Sequence, residues 1–227
     1  MGVLDLAVKA AKAAKAARKD APYFVPGSPE RAANLARFME GNVAPPTLYH
    51  GAIVHDAPRR ANTRPLGDID KFDRYAAYKA FNRPEGMDAV GSWLSEGSGE
   101  FGAGLYGGGP GGAIYPIHAS LKNPWKPKSF DEFLRLMHTT AGRDPKAQNP
   151  KGRGTVGPLR DYLMSKGHDS ILFPPGVDDR RAPPVWVALH PERQLKSATG
   201  NRGTFDPSEP EINKARGGRV SPFKVKR

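Results

Sequence analysis

Ser170-Ile171-Leu172-Phe173 and Val185-Trp186-Val187-Ala188-Leu189 are two short apolar runs, rich in β-branched and aromatic residues and flanked by Pro, Gly and Asp. Runs of this length and composition between turn residues predict β-strands. Working upstream, Leu159–Lys166 reads as a short helix closed by Gly167, after a polar loop over Gly142–Gly157. Ser129-Phe130-Asp131-Glu132 carries the capping-box spacing, and Phe133, Leu134 and Met137 supply an inward face, so a helix is expected from Ser129 to Met137. Further strands are expected at Thr47–Gly51, Ser92–Ser95 and Ile114–Leu121, the last ended by Asn123-Pro124. Pro116 predicts an edge position or a bulge for it. Ser28, with Pro29 at the first helical position, predicts a helix whose apolar face is Ala32, Leu35, Ala36 and Met39 and which ends near Gly41. A helical stretch is also expected near Lys71–Phe81. Short strands, few helices and no regular βαβ alternation argue against a doubly wound parallel sheet. The expected class is α+β: a compact pair of small sheets with peripheral helices.

The 227 residues include 38% hydrophobic and 26% charged side chains, enough for one globular body with flanking segments. No apolar run approaches the roughly 18 residues a membrane-spanning helix needs, and Met1–Leu6 lacks the features of a signal peptide; a soluble protein, not secreted and not membrane-bound, is expected. The absence of cysteine excludes disulfides, thiolate nucleophiles and cysteine-ligated zinc.

The formal net charge of +12 is concentrated at the ends. Residues 1–20 carry Lys9, Lys12, Lys15, Arg18 and Lys19 against Asp5 and Asp20, and residues 212–227 carry six bases and no acid. The body between them is close to neutral, unlike a folded nucleic-acid reader with a basic stripe on its surface. The organisation expected is a basic Ala/Lys-rich helical arm over 1–25, a folded domain over 26–211 and a basic disordered tail over 212–227. The small-residue face of the first arm suits a partner helix or shallow groove, and the tail suits weak, salt-sensitive phosphate contact.

Several motifs point nowhere. Gly102-Ala103-Gly104-Leu105-Tyr106-Gly107 satisfies G-x-G-x-x-G, but the glycines that follow are a poor start for the helix a dinucleotide fold requires, so a flexible loop is expected. None of the six histidines stands at the i, i+4 spacing of a zinc-protease helix, and no metal site is expected. No serine lies in a Gly-x-Ser-x-Gly elbow.

Three segments, in order, resemble the PARP-like ADP-ribosyltransferase fold, especially its phage-encoded versions found alone or in large polyproteins. Leu48-Tyr49-His50-Gly51 resembles the first-strand Tyr-His-Gly-Thr motif, with Ala52 in place of Thr; Ser92-Trp93-Leu94-Ser95 followed by Tyr106 resembles the second motif. The stretch Gln194–Pro207 is similar to a closing signature of the phage group. The resemblance, running from about Arg31 to Ile212, implies a split pair of small mixed sheets and a bacteriophage protein of the virion or host cytoplasm. It also implies NAD as substrate, with ADP-ribose passed to a host protein or nucleic acid. His50 would hold the adenosine ribose, the Gly51 backbone the nicotinamide carboxamide, and Trp93 and Tyr106 the nicotinamide ring, with Ser95 lining the same strand. The family's glutamate is not matched, because its position falls on Val185 or Trp186. Glu192 and Gln194 are the catalytic candidates that remain, with Asp178 and Asp179 in the preceding loop. The other reading implied is an inactive relative, kept as a virion-associated or interaction module whose N-terminal helix docks on phage structural proteins.

Overall fold

A computed structural model describes residues 23–52, 90–107, 113–141, 156–177 and 180–208. The N-terminal arm to residue 22, the tail from 209, Asp178, Asp179 and the stretch near Lys71–Phe81 lie outside the described residues.

The chain is mixed α+β. Helix α1 (Pro29–Phe38) precedes β1 (Leu48–Ala52) and β2 (Ser92–Ser95); a single turn, α2 (Gly104–Gly107), leads to β3 (Ala113–Ala119) and the two-residue β4 (Pro124–Trp125). Helices α3 (Phe130–Thr140) and α4 (Val156–Ser165) follow, then β5 (Ser170–Phe173), β6 (Val185–Ala188), the short α5 (Pro191–Gln194) and β7 (Leu195–Ser197). Both sequence-read helix starts form as their chemistry dictates. Ser28 Oγ accepts from Arg31 N at 3.2 Å, and Ser129 Oγ accepts from Glu132 N at 3.1 Å. The Glu132 carboxylate reaches back to Lys128 N at 2.6 Å, one residue ahead of the cap itself.

The strands form one seven-stranded sheet in the order β4-β5-β6-β2-β1-β3-β7. The pair of separate sheets expected from the sequence is therefore joined, and the joint is narrow. β2 pairs with β6 over four registered positions and β1 with β3 over five, whereas β1 and β2 share one, Tyr49↔Ser95. The result is two wings, β4-β5-β6-β2 and β1-β3-β7, meeting at a single rung.

Alternation along these strands makes two cores. Leu48, Leu94, Tyr115, Ile117, Trp186 and Ala188 pack together on one face. Val185, Val187, Ile171 and Phe173 face the other way, beneath Phe133 and Met137 of α3 and Leu159 and Leu163 of α4.

Pro116 does not lie on an edge strand or bulge: β3 is interior, between β1 and β7. Pro116 O accepts from Ala198 N at 3.0 Å, just after β7 ends at Ser197. In an antiparallel strand a residue's nitrogen and carbonyl point to the same side, so the missing N–H falls where the neighbouring strand has already run out. The glycine segment is likewise not simply a loop, since α2 makes a helical turn. Three elements, β4, α5 and β7, have no counterpart in the sequence reading; at two, four and three residues they carry too little pattern to be recognised.

The stretch after β7 folds back over α1. Arg31 Nη1 donates to Asn201 O at 2.7 Å and Asn34 Nδ2 to Gly203 O at 2.9 Å. Phe205 stacks on Phe38 at 6.2 Å and lies under the Arg31 guanidinium at 5.1 Å. Asn201 Oδ1 accepts from Gly203 N and Phe205 N, at 2.8 and 3.3 Å. This holds Phe205 at φ 48°, a left-handed conformation that a bulky residue adopts only under constraint. The long closing motif is thus a latch between the chain's two described ends.

Candidate functional site

The first two motif segments and the α2 turn, far apart in sequence, converge at the rung between the wings. Tyr49 of β1 faces Ser95 of β2. His50 Nδ1 lies 2.8 Å from the carbonyl oxygen of Trp93. A carbonyl only accepts, so Nδ1 is the donor and carries the ring hydrogen. The imidazole thereby spans a junction where the backbone ladder supplies one registered pair.

Gly51 is where α2 docks. A Cβ built on Gly51 would stand 2.0 Å from Ala103 O and 2.9 Å from Gly107 N, and one on Gly107 would stand 2.3 Å from Ala113 O. The missing side chains let the turn's backbone press onto β1 and β3, and this turn carries Tyr106. The close approach that Gly51 permits is made by the protein's own backbone.

The other predicted residues separate. Trp93 stacks on Phe173 with ring centroids 5.5 Å apart and planes 10° from parallel, and meets Phe133 edge-on at 6.5 Å. The Tyr49↔Ser95 register and strand alternation put this ring on the helix-covered face and His50 on the opposite one. Trp93 is therefore packed against the helix-covered core, on the face opposite His50. Ser95 is buried, and its Oγ accepts from Gly97 N at 3.2 Å, shaping the turn that leaves β2.

Neither catalytic candidate lies at the junction. Gln194 is buried, its Oε1 accepting from His190 N at 2.7 Å and its Nε2 donating to Asp169 O at 3.0 Å. Both ends of the amide are committed to main chain, which is a structural tie. Glu192 follows the far end of β6. Val185 pairs with Ser95 at the junction end and Ala188 with Ser92 at the other, a span of about 10 Å at the usual rise per residue. Glu192 lies beyond that, its Oε1 3.7 Å from His190 Nδ1. The Arg160 guanidinium, 3.2 Å from the same nitrogen, can only donate, so His190 Nδ1 is an acceptor. Burial, then the Arg160 charge, hold His190 below its usual range, against the Glu192 carboxylate.

Among the described residues, the carboxylate that stands at the junction is Glu96, which the sequence reading passed over. Glu96 follows Ser95 directly, and its N–H donates to Pro184 O at 3.2 Å. Its Oε1 accepts from Trp186 Nε1 at 2.9 Å. Trp186 is 3% exposed, so its indole N–H requires a partner inside the protein. Counting along the chain from Gln194 reaches Trp186, which bears no acid but whose indole is bonded to one across the β2-β6 ladder. The available signal was a tryptophan in an apolar strand, whose indole N–H needs an acceptor once buried, and a second strand followed directly by Glu96.

Among the described residues, no group of three or more His, Asp or Glu is placed to hold a metal ion, and no helix is long and apolar enough to cross a membrane. No family model, curated protein or solved structure matches the chain.

Proposed function

We propose that the chain is a phage-type, ADP-ribosyltransferase-like protein that binds NAD as substrate at the junction between β1 and β2 and transfers ADP-ribose weakly to a host protein or nucleic acid. The observation that carries this reading is the convergence of the two motif strands, with the α2 turn, on a single-rung joint bridged by His50. The groups there suit the ligand. The bond from Nδ1 to the Trp93 carbonyl fixes the His50 ring at the junction, where the resemblance places the adenosine ribose, and a carboxylate lies at the same end of β2. In the reaction the bond between nicotinamide and ribose C1′ breaks, its electron pair leaves with nicotinamide, and positive charge develops on the ribose. A nearby carboxylate stabilises that charge and takes the proton of the attacking acceptor. Glu96 fills that place in this reading, and Glu192 and Gln194 do not.

A second reading, an inactive ADP-ribosyltransferase-like fold kept as a virion-associated interaction module, is favoured by one observation: Glu96 already serves the buried Trp186 indole. Nicotinamide release from labelled NAD, with label transfer onto bacterial lysate, separates the two. Release that Glu96→Gln abolishes while NAD still binds supports a transferase; binding without release supports the module; absence of NAD binding refutes the leading reading.

A further inference from the structure

The surface between α3 and α4, beside β4, holds a groove of about 430 Å³, within the range of small-ligand sites. Leu136 and Leu163 are its apolar lining, Trp125 and Tyr162 its aromatic members, and Arg135, Lys166 and His168 its basic ones. The acid in the groove, Glu132, is engaged with Lys128 N at the start of α3. Neither Arg135 nor Lys166 has an acidic partner among the described residues, and Lys166 Nζ lies 5.6 Å from the centre of the Tyr162 ring. Tyr162 is 40% exposed. His168 Nδ1 is 3.3 Å from Asn123 O, an oxygen that can only accept, so the opposite ring nitrogen is the one left to meet a ligand.

Aromatic surface beside cations that lack anionic partners among the described residues matches one ligand chemistry: a flat heteroaromatic base attached to a phosphate. We infer that this groove binds a nucleoside monophosphate unit, its base against Trp125 and Tyr162 and its phosphate against Arg135 and Lys166. The unit comes from a free nucleotide or from one residue of a single strand. The site lies on the helical layer and does not depend on the β1-β2 junction binding NAD.

The test uses the full chain, adenosine 5′-monophosphate in equilibrium dialysis, and a fluorescently labelled deca-adenylate in anisotropy titrations. Arg135 and Lys166 are charged and Arg135 is exposed, so Arg135→Ala with Lys166→Ala should fold, which circular dichroism checks. The monophosphate is expected to bind saturably, to lose roughly tenfold or more in affinity in the double variant, and to be unaffected by His50→Ala. Deca-adenylate binding more tightly than the monophosphate, with the same dependence on Arg135 and Lys166, assigns the unit to a single strand; no gain assigns it to a free nucleotide. No monophosphate binding, or binding unchanged in the folded double variant, overturns the inference. Loss on His50→Ala alone overturns it too and places nucleotide binding at the junction.

Discussion

Replacing Gln194 by alanine separates a structural tie from a catalytic group. The amide holds three segments together: the start of α5 through His190 N, the entry to β5 through Asp169 O, and the end of β3 through Ser120 O, which is 3.5 Å from Nε2. Truncation leaves the His190 N–H without its acceptor, at about 1–3 kcal/mol for a poorly solvated donor. Asp169 O keeps a second partner in Leu189 N at 3.1 Å, so the bond lost there counts for about 1 kcal/mol. The sum is about 2–4 kcal/mol, or roughly 5–12 °C in Tm for a domain of this size. Gln194→Glu retains the acceptor but points a carboxylate at the Asp169 carbonyl, and should cost at least as much at neutral pH. Thermal and urea melts of both variants provide the measurement. A Tm within 2 °C of wild type for Gln194→Ala, combined with lost nicotinamide release, would refute the structural assignment and return Gln194 to the catalytic candidates.

Gly51→Ala should destabilise the chain by about 3 kcal/mol in urea titrations, because a Cβ 2.0 Å from Ala103 O can be relieved only by moving backbone. Glu192→Gln should leave both stability and any NAD turnover within about 0.5 kcal/mol of wild type, since the side chain is a third exposed and its neighbour His190 is neutral. Burial, with the Arg31 charge, lowers the His118 pKa against the bond to Pro46 O, and burial, with Arg160, lowers that of His190. A histidine lowered in the folded state contributes stability that is present above its unfolded value near 6.5 and is lost as pH falls through and below it. The urea midpoint should therefore drop between about pH 7 and pH 5, and His118→Gln with His190→Gln should flatten that slope. A slope unchanged in the double variant would show that other groups set it.

Much of the fold was legible because local chemistry and tertiary context agree. The Ser28 and Ser129 caps act on the backbone of their own helices, and Ser92–Ser95 and Ser170–Phe173 form strands with the bounds their composition suggests. Where pattern and context part, the reading erred. Pro116 is tolerated inside the sheet because β7 stops one residue short of it, and no local signal in β3 reports the length of a neighbour. Trp93 and His50 come from two motifs that the resemblance assigns to one ligand, yet the period of a strand and the Tyr49↔Ser95 register send them to opposite faces. Glu96 escaped notice because its relation to Trp186 runs across the ladder and not along the chain. Gln194 drew attention as a motif residue, but its contacts, to positions 25 and 74 residues away, make it a tie.

The measurement that bears most directly on the account is NAD binding by isothermal titration calorimetry to the full-length protein and to His50→Ala. Saturable binding, weakened about tenfold or more in a folded His50→Ala variant by loss of one buried hydrogen bond to the ribose, is the result predicted. Absence of binding, or an affinity indifferent to His50, would contradict it.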